Sequence, residues 1–421
     1  MKTREGFALI FALVIAMIIL AIIIGLAAIA SGDLSLAARA TDGIRAYYLA
    51  EAGLAKKFVE LRSGSTMGTG GTITLSSGNT GTFNVIVSQT GGGVFPTYVL
   101  TSTGTYKNST KTLSLTVRAM SYSRYIYLTD TEIRSGSRIW FIGGDAIRGP
   151  MHTNGQLNII DDPTFEGPVS SVSTSIHYYH GPPPLDNPDF RESLTLGAPN
   201  IRLPTSADIL SSLSASAQQS NGLYLIGDST VTLLSNGTMN VTNADKDWDN
   251  YNVPVPPSGA LFVNNGDLNI SGILSGQLTV GNQGTGKNIY ITGNILYAND
   301  PRTNPSSTDI FGIVSGNNVV IDSAAPYNLE IDGYILALNK SFYLENYTSV
   351  VKGTLTLFGG ITQDERGAVG TFNASTGQKV SGYTKDYNYD QRFEDSAPAF
   401  FPPARDSNNR IVYLKILWAE T

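Results

Sequence analysis

The alternation of apolar and polar positions divides the first sixty residues into three parts. A charged leader, MKTREG, is followed from Phe7 by an apolar run without a charge until Asp33. At about 1.5 Å per helical residue, residues 7–30 extend roughly 36 Å, enough to cross a bilayer core of about 30 Å. Beyond Asp33, Ile44, Tyr48, Ala52, Ala55 and Val59 recur at three- to four-residue steps, with Arg45, Glu51, Lys56, Glu60 and Arg62 between them. This pattern predicts one helix over residues 7–62, roughly 83 Å long, with an apolar inner half and an amphipathic outer half. Gly64 and Ser65 end it. A secretory signal has a cleavage site after a shorter apolar region. Here the processing-like junction Gly6-Phe7 precedes the apolar run, so cleavage there leaves the membrane segment on the chain.

The period then changes to two. GTITLSS, TFNVIVSQT, TYVLTSTGTY and KTLSLTVRAM alternate apolar and polar residues between Gly- and Asn-rich turns, predicting a sheet over residues 63–120 that covers the helix's apolar stripe. From residue 156 a polar–aliphatic–x–aliphatic unit recurs at 156–159, 238–241, 267–270, 288–291, 328–331 and 354–357. The last four are followed by Gly272, Gly293, Gly333 and Gly359, spaced 21, 40 and 26 residues apart. Those intervals read as one, two and one rungs of a stack, with aliphatics pointing inward and glycine at the corners. Residues 121–421 are thus predicted to form a β-solenoid of the right-handed β-helix kind. A Pro-rich excursion at about 177–205 interrupts it, and a short helix follows between Ala207 and Ser220. The alternating strand at 410–418 is expected to cap one end. The fold class is mainly β, with one long N-terminal α-helix, a small α+β domain and then the solenoid.

Composition agrees with an all-β extracytoplasmic protein: 421 residues, 44 glycines and only 15 % charged residues. The chain has no cysteine, which excludes disulfides and thiolate sites. A net charge of −6 argues against general affinity for phosphate backbones, leaving only a local basic patch for nucleic acid.

The leader, the Gly6-Phe7 junction and the AYYLAEAGL tract at 46–54 together resemble type IV pilins and pseudopilins, with the helix segment of PilX-like minor pilins. The tracts GGITQDERGAVGTFN, SGYTKDYNYDQRF and APAFFPP resemble the C-terminal part of large minor pilins that carry a β-solenoid. The resemblance implies a prepilin leader at residues 1–6, cleavage by a prepilin peptidase after Gly6 and N-methylation of Phe7. It implies partners among other pilins through the helix, and membrane lipids before assembly. Major pilins carry a glutamate at the fifth mature position, whereas Phe11 stands there in this chain. Subunits lacking that carboxylate tend to be minor, some at the filament tip. The expected protein is therefore a non-enzymatic, single-pass inner-membrane subunit that moves into a pilus or pseudopilus. Its head would lie outside the cytoplasm and present a surface for assembly, adhesion or DNA uptake. The alternative is a membrane-tethered β-helix protein that binds or degrades polysaccharide.

Motifs for chemistry are sparse, and no cofactor or catalytic group is expected. GNQGTGK at 281–287 fits a phosphate loop up to its lysine, but Asn288 stands where magnesium needs Ser or Thr, and a strand follows. Asp245, Asp247 and Asp249 alternate as calcium ligands do, but Pro256 stands where the loop's glutamate belongs. Asp161 and Asp162 are adjacent acids, short of the two separated carboxyls that glycoside hydrolysis needs. His177 and His180 form an incomplete metal pair, and Asn108, Asn240, Asn346 and Asn373 open sequons. Arg366 and Arg392 have Asp364, Asp386 and Asp390 as candidate partners. Tyr383, Tyr387, Tyr389 and Arg392 suit a surface that recognises sugar, another cell surface or protein.

Overall fold

The computed structural model describes residues 4–74, 80–90, 95 and 97–420, with side chains from Phe7 onward. Leader residues 1–3 lie outside the described residues, as do residues 75–77 of the first predicted strand. The chain is mainly β, with one long N-terminal helix, and it divides into two compact units.

The first unit holds helix α1 (Arg4–Arg62) and strands β1 (Thr69–Thr74), β2 (Thr80–Thr90), β3 (Thr97–Tyr106) and β4 (Ser109–Ala119). The four strands form an antiparallel meander, as the period-two pattern predicts. A fifth strand, at Tyr413–Glu420, completes the sheet beside β4. Its alternation was expected to close the solenoid; it closes this sheet instead, and Lys111 meets Glu420 at 2.6 Å.

The second unit is a stack of parallel strands on three faces. One face runs from Leu223–Ile226 through Ala260–Asn264, Gln277–Gln283 and Ile310–Ser315 to the second halves of Leu329–Ala337 and Val351–Glu365. The next strand on that face is Tyr127–Thr131, then Met151–Thr153, Val169–Ser171 and Leu194–Leu196. The chain therefore enters the stack in its middle and winds outward to one end over residues 127–196. It crosses to the other end and winds back over residues 223–365. Where the two arms meet, Ile361 pairs with Tyr127 although 234 residues separate them, and Asp386 pairs with Ala146. The crossing segment contains α2 (Ser206–Ala217), begun by an Asp208 carboxylate that accepts from the Thr205 N–H at 2.7 Å. Its Ile209, Leu210, Leu213 and Ala217 share one buried cluster with Ala260, Phe262, Val314 and Leu336, which come from three strands of that face.

The repeat read from the sequence corresponds to these rungs, with two corrections. Ile270 pairs with Ile291 and Ile331 with Leu357, one rung apart as spaced. Ile295, however, pairs directly with Ile331, so the 40-residue glycine interval spans one rung on that face and not two. Its extra length goes into loop 298–309, anchored where Asp309 accepts from the Asn299 and Gly276 N–H groups. The Pro-rich stretch is no full excursion either: His177–Tyr178, Asp189–Phe190 and Leu194–Leu196 form the three sides of a rung. At the bend within Val351–Glu365, Gly359 has φ +149°, and a β-carbon there would lie 1.9 Å from the Gly333 carbonyl oxygen. Only glycine lets adjacent rungs approach so closely.

Candidate functional site

Two regions have the shape of functional surfaces, one in each unit. The first is α1. Its uncharged inner run is exposed all round: Phe7 is 74 % exposed, Phe11 60 % and Ile24 61 %. Among the described residues it is the helix long and apolar enough to cross a membrane. The outer half packs on β2 and β3 through Ala46, Leu49, Ala50, Leu54 and Leu61. Gly53 and Gly104 bring the backbones together; a β-carbon on Gly104 would come within 2.2 Å of the Ala46 carbonyl oxygen. Arg45 donates to the Tyr106 hydroxyl at 3.1 Å, and Asp42 meets Lys107 at 3.2 Å.

The face that turns inward is not the one the spacing indicated. Ile44, Tyr48 and Val59 are 58, 62 and 54 % exposed, while Ala52 is half-buried and Ala55 exposed. The outer helix thus carries two apolar stripes. Small residues and leucines give the closer approach to the sheet, so that stripe is buried, and the bulkier one is left for other contacts. Gly6 lies within α1 and Phe7 follows it in the exposed run.

The second region is a cleft of about 190 Å³ in the stacked unit, lined by Arg138, Trp140, Tyr347, Thr371, Phe372 and Lys385 among others. The Trp140 and Phe372 ring centres are 6.4 Å apart at 75°. Tyr179 braces Trp140 edge-on at 5.0 Å, and His177 lies at 5.4 Å. Lys385 is buried at the cleft floor and pairs with the Asp145 carboxylate behind it; burial lowers its pKa. Nearby, His180 Nδ1 lies 2.9 Å from the Asp186 carboxylate and its Nε2 lies 2.9 Å from the Ala374 carbonyl. Both partners are acceptors, so both contacts are made together only by the protonated ring. Hydrogen bonding to Asp186, then to Ala374, raises its pKa.

The predicted ligand surface is largely core. Tyr383 and Tyr387 are each 1 % exposed, because alternate residues of Lys379–Tyr389 point into the stack. The Tyr383 hydroxyl donates to the Pro326 carbonyl at 2.5 Å, and burial raises its pKa to about 12. Tyr389 is half-buried and donates to the Ser123 carbonyl at 3.1 Å. Arg392 is clamped by Asp390 at 2.6 Å, as the sequence suggested. Arg366 pairs instead with Glu132 at 2.9 Å, both side chains being at most 1 % exposed. Of the four residues, Tyr383 alone touches the cleft.

Asp245 and Asp247 stay exposed in a hairpin turn held by Asn243, which accepts from the Lys246 N–H, and Asp249 is exposed on the following strand, Trp248–Pro254. Among the described residues no group of three or more His, Cys, Asp and Glu is placed to hold a metal. Lys287 of the phosphate-loop-like stretch is held by Asp228 at 2.8 Å and Asp267 at 3.1 Å. The cleft went unread because Trp140, Tyr179 and Phe372 come from segments far apart in sequence; their aromatic character was the available signal.

A domain of unknown function (DUF4900) matches residues 94–174. The search of curated proteins gives no match. Among solved structures, the chain is similar to the competence-associated pilin ComZ from Thermus thermophilus, with a TM-score of 0.39 and 14 % identity. The match covers 90 % of this chain and 98 % of that one. At that similarity the likeness assigns no function to this chain.

Proposed function

We propose that the chain is a minor pilin-like subunit, released from its leader after Gly6, methylated at Phe7 and held in the inner membrane by α1 until it joins a pilus or pseudopilus. The reading is carried by α1 itself. Residues 7–30 are apolar on every side and uncovered, whereas the outer half is fixed to a sheet of its own unit. An isolated anchor has no need of the exposed Ile44, Tyr48 and Val59 stripe beyond the membrane run; a helix that packs among other stems does. Phe11 in the apolar run requires no buried partner, where a carboxylate there would, in keeping with a rare subunit near the tip. The protein's work is assembly and presentation: other pilins are its partners along the stem, and the stacked unit offers a rigid surface for adhesion or DNA uptake.

The test is the N-terminal mass of the protein extracted from membranes of its own host. A chain starting at methylated Phe7 is expected, and Gly6→Leu should keep the leader. An intact leader on the wild-type protein overturns the proposal.

A further inference from the structure

We propose that the Trp140–Phe372 cleft binds a single acidic sugar ring, of the uronic-acid type, from a glycan. The cleft's size sets the first limit. At about 190 Å³ it is smaller than the roughly 300–1,000 Å³ of pockets for drug-sized ligands, so it admits one ring.

Its walls set the second. Trp140, Tyr347 and Phe372 line it with aromatic surface, Trp140 and Phe372 meeting edge to face, and each is only part-buried. Aromatic faces suit the C–H faces of a pyranose, and they suit other flat apolar rings equally. The polar lining distinguishes these. Arg138 and Ser137 stand at the rim with hydrogen-bond donors suited to a ring dense in hydroxyls, and Thr371, whose O–H is given to Ser381, offers an acceptor oxygen.

Charge sets the third. The lining holds no carboxylate; Lys385 is neutralised by Asp145 behind the floor, which leaves Arg138 as the uncompensated charge. In a chain of net charge −6 this is a local reversal of sign, and it selects an anionic ring over a neutral one. Arg138 is exposed and forked, as bidentate capture of a carboxylate requires. The walls are fixed in place: Trp140 is wedged by Tyr179 and His177, and the Phe372 turn is tied through the Ala374 carbonyl to His180. The site is therefore formed before the ligand arrives.

This deepens the adhesive part of the proposed role, but its test is indifferent to the leader, so the two fail separately. The purified full-length chain in detergent micelles is titrated with sodium glucuronate, glucose and benzoate, following tryptophan fluorescence. Glucuronate should bind saturably and at least tenfold more tightly than glucose or benzoate. Arg138→Glu, at an exposed position, should weaken glucuronate at least tenfold with no change in melting temperature. Trp140→Phe should remove most of the fluorescence change while retaining part of the affinity, measured by calorimetry. Absence of saturable glucuronate binding overturns the inference. So does equal binding of glucose, tighter binding of benzoate, or an Arg138→Glu variant that binds as the parent does.

Discussion

The two arms of the stack follow the same three faces but are held by different means. The returning arm, residues 223–365, has strands of three to fifteen residues around a column of Leu268, Ile270, Ile289, Ile291, Ile331 and Leu357. The outgoing arm has strands of two to five residues. Aromatic stacking takes the place of ladder length there: Phe141 meets Phe165 at 5.2 Å, and Phe165 meets Phe190 at 4.9 Å. Side chains also bond between rungs, with Thr129 donating to Thr153 at 2.9 Å and Ser171 to the Gly155 carbonyl at 2.8 Å. A coil can thus be kept in register either by long backbone ladders or by large rings and hydroxyls on short ones.

The join between the arms offers the largest effect. Arg366 pairs with Glu132, donates to the Trp140 carbonyl at 2.9 Å and lies 3.6 Å over the Phe141 ring. Burial opposes its charge, but the fields of Tyr127 and Glu132 hold its pKa above the ordinary value. Arg366→Met should cost about 3–5 kcal/mol by stranding the Glu132 carboxylate. Restoration of most of that loss by the Arg366→Met/Glu132→Gln double variant in denaturant melts would locate the cost in the stranded charge. If single and double variants melt alike, the pair is not what joins the arms.

The next contrast tests the arms separately. Phe165→Leu interrupts the aromatic stack and should cost more than Ile291→Leu, a volume-conserving change expected to cost under about 1.5 kcal/mol. Equal costs would mean that ring stacking adds nothing particular to the outgoing arm. Gly359→Ala should follow, with about 1–3 kcal/mol of backbone strain in addition to the displacement of Gly333. A melting point unchanged in this variant would show that the bend relaxes.

The smallest effect is pH-dependent and lies where the outgoing arm meets the turn at 373–377. The pKa of His180 is raised in the folded protein, so its bonds are fully present below about pH 6.5 and are lost as pH rises through the raised value. Hydrogen exchange in loop 181–186 and turn 373–377 should quicken over that rise and be pH-insensitive in His180→Gln. Identical profiles for parent and variant would remove the histidine from the account.

The legibility of the chain follows the same division. The uncharged run of α1, strands β2 to β4, α2 and the returning arm's aliphatic repeat were readable, because each repeats a period over enough residues to be seen. The outgoing arm was not: a two-residue strand such as Asn158–Ile159 has no period. Nor was the inward stripe of α1, since both stripes are apolar and only the sheet's glycines and small residues decide between them. The Arg366–Glu132 pair depends on the meeting of two arms, which no local pattern encodes. Tyr383 and Tyr387 looked like a ligand surface because alternation marks which side chains share a face without saying which face is inside.

The strand at Tyr413–Glu420 has a consequence for synthesis. A ribosome makes α1 and β1 to β4 first, yet the edge of β4 stays unsatisfied until nearly three hundred further residues have been translated. A polypeptide truncated anywhere in the stack would carry an open β edge, with its unpaired amides and carbonyls available to chaperones or proteases. Completion of the sheet at the stem therefore waits on synthesis of the far larger unit.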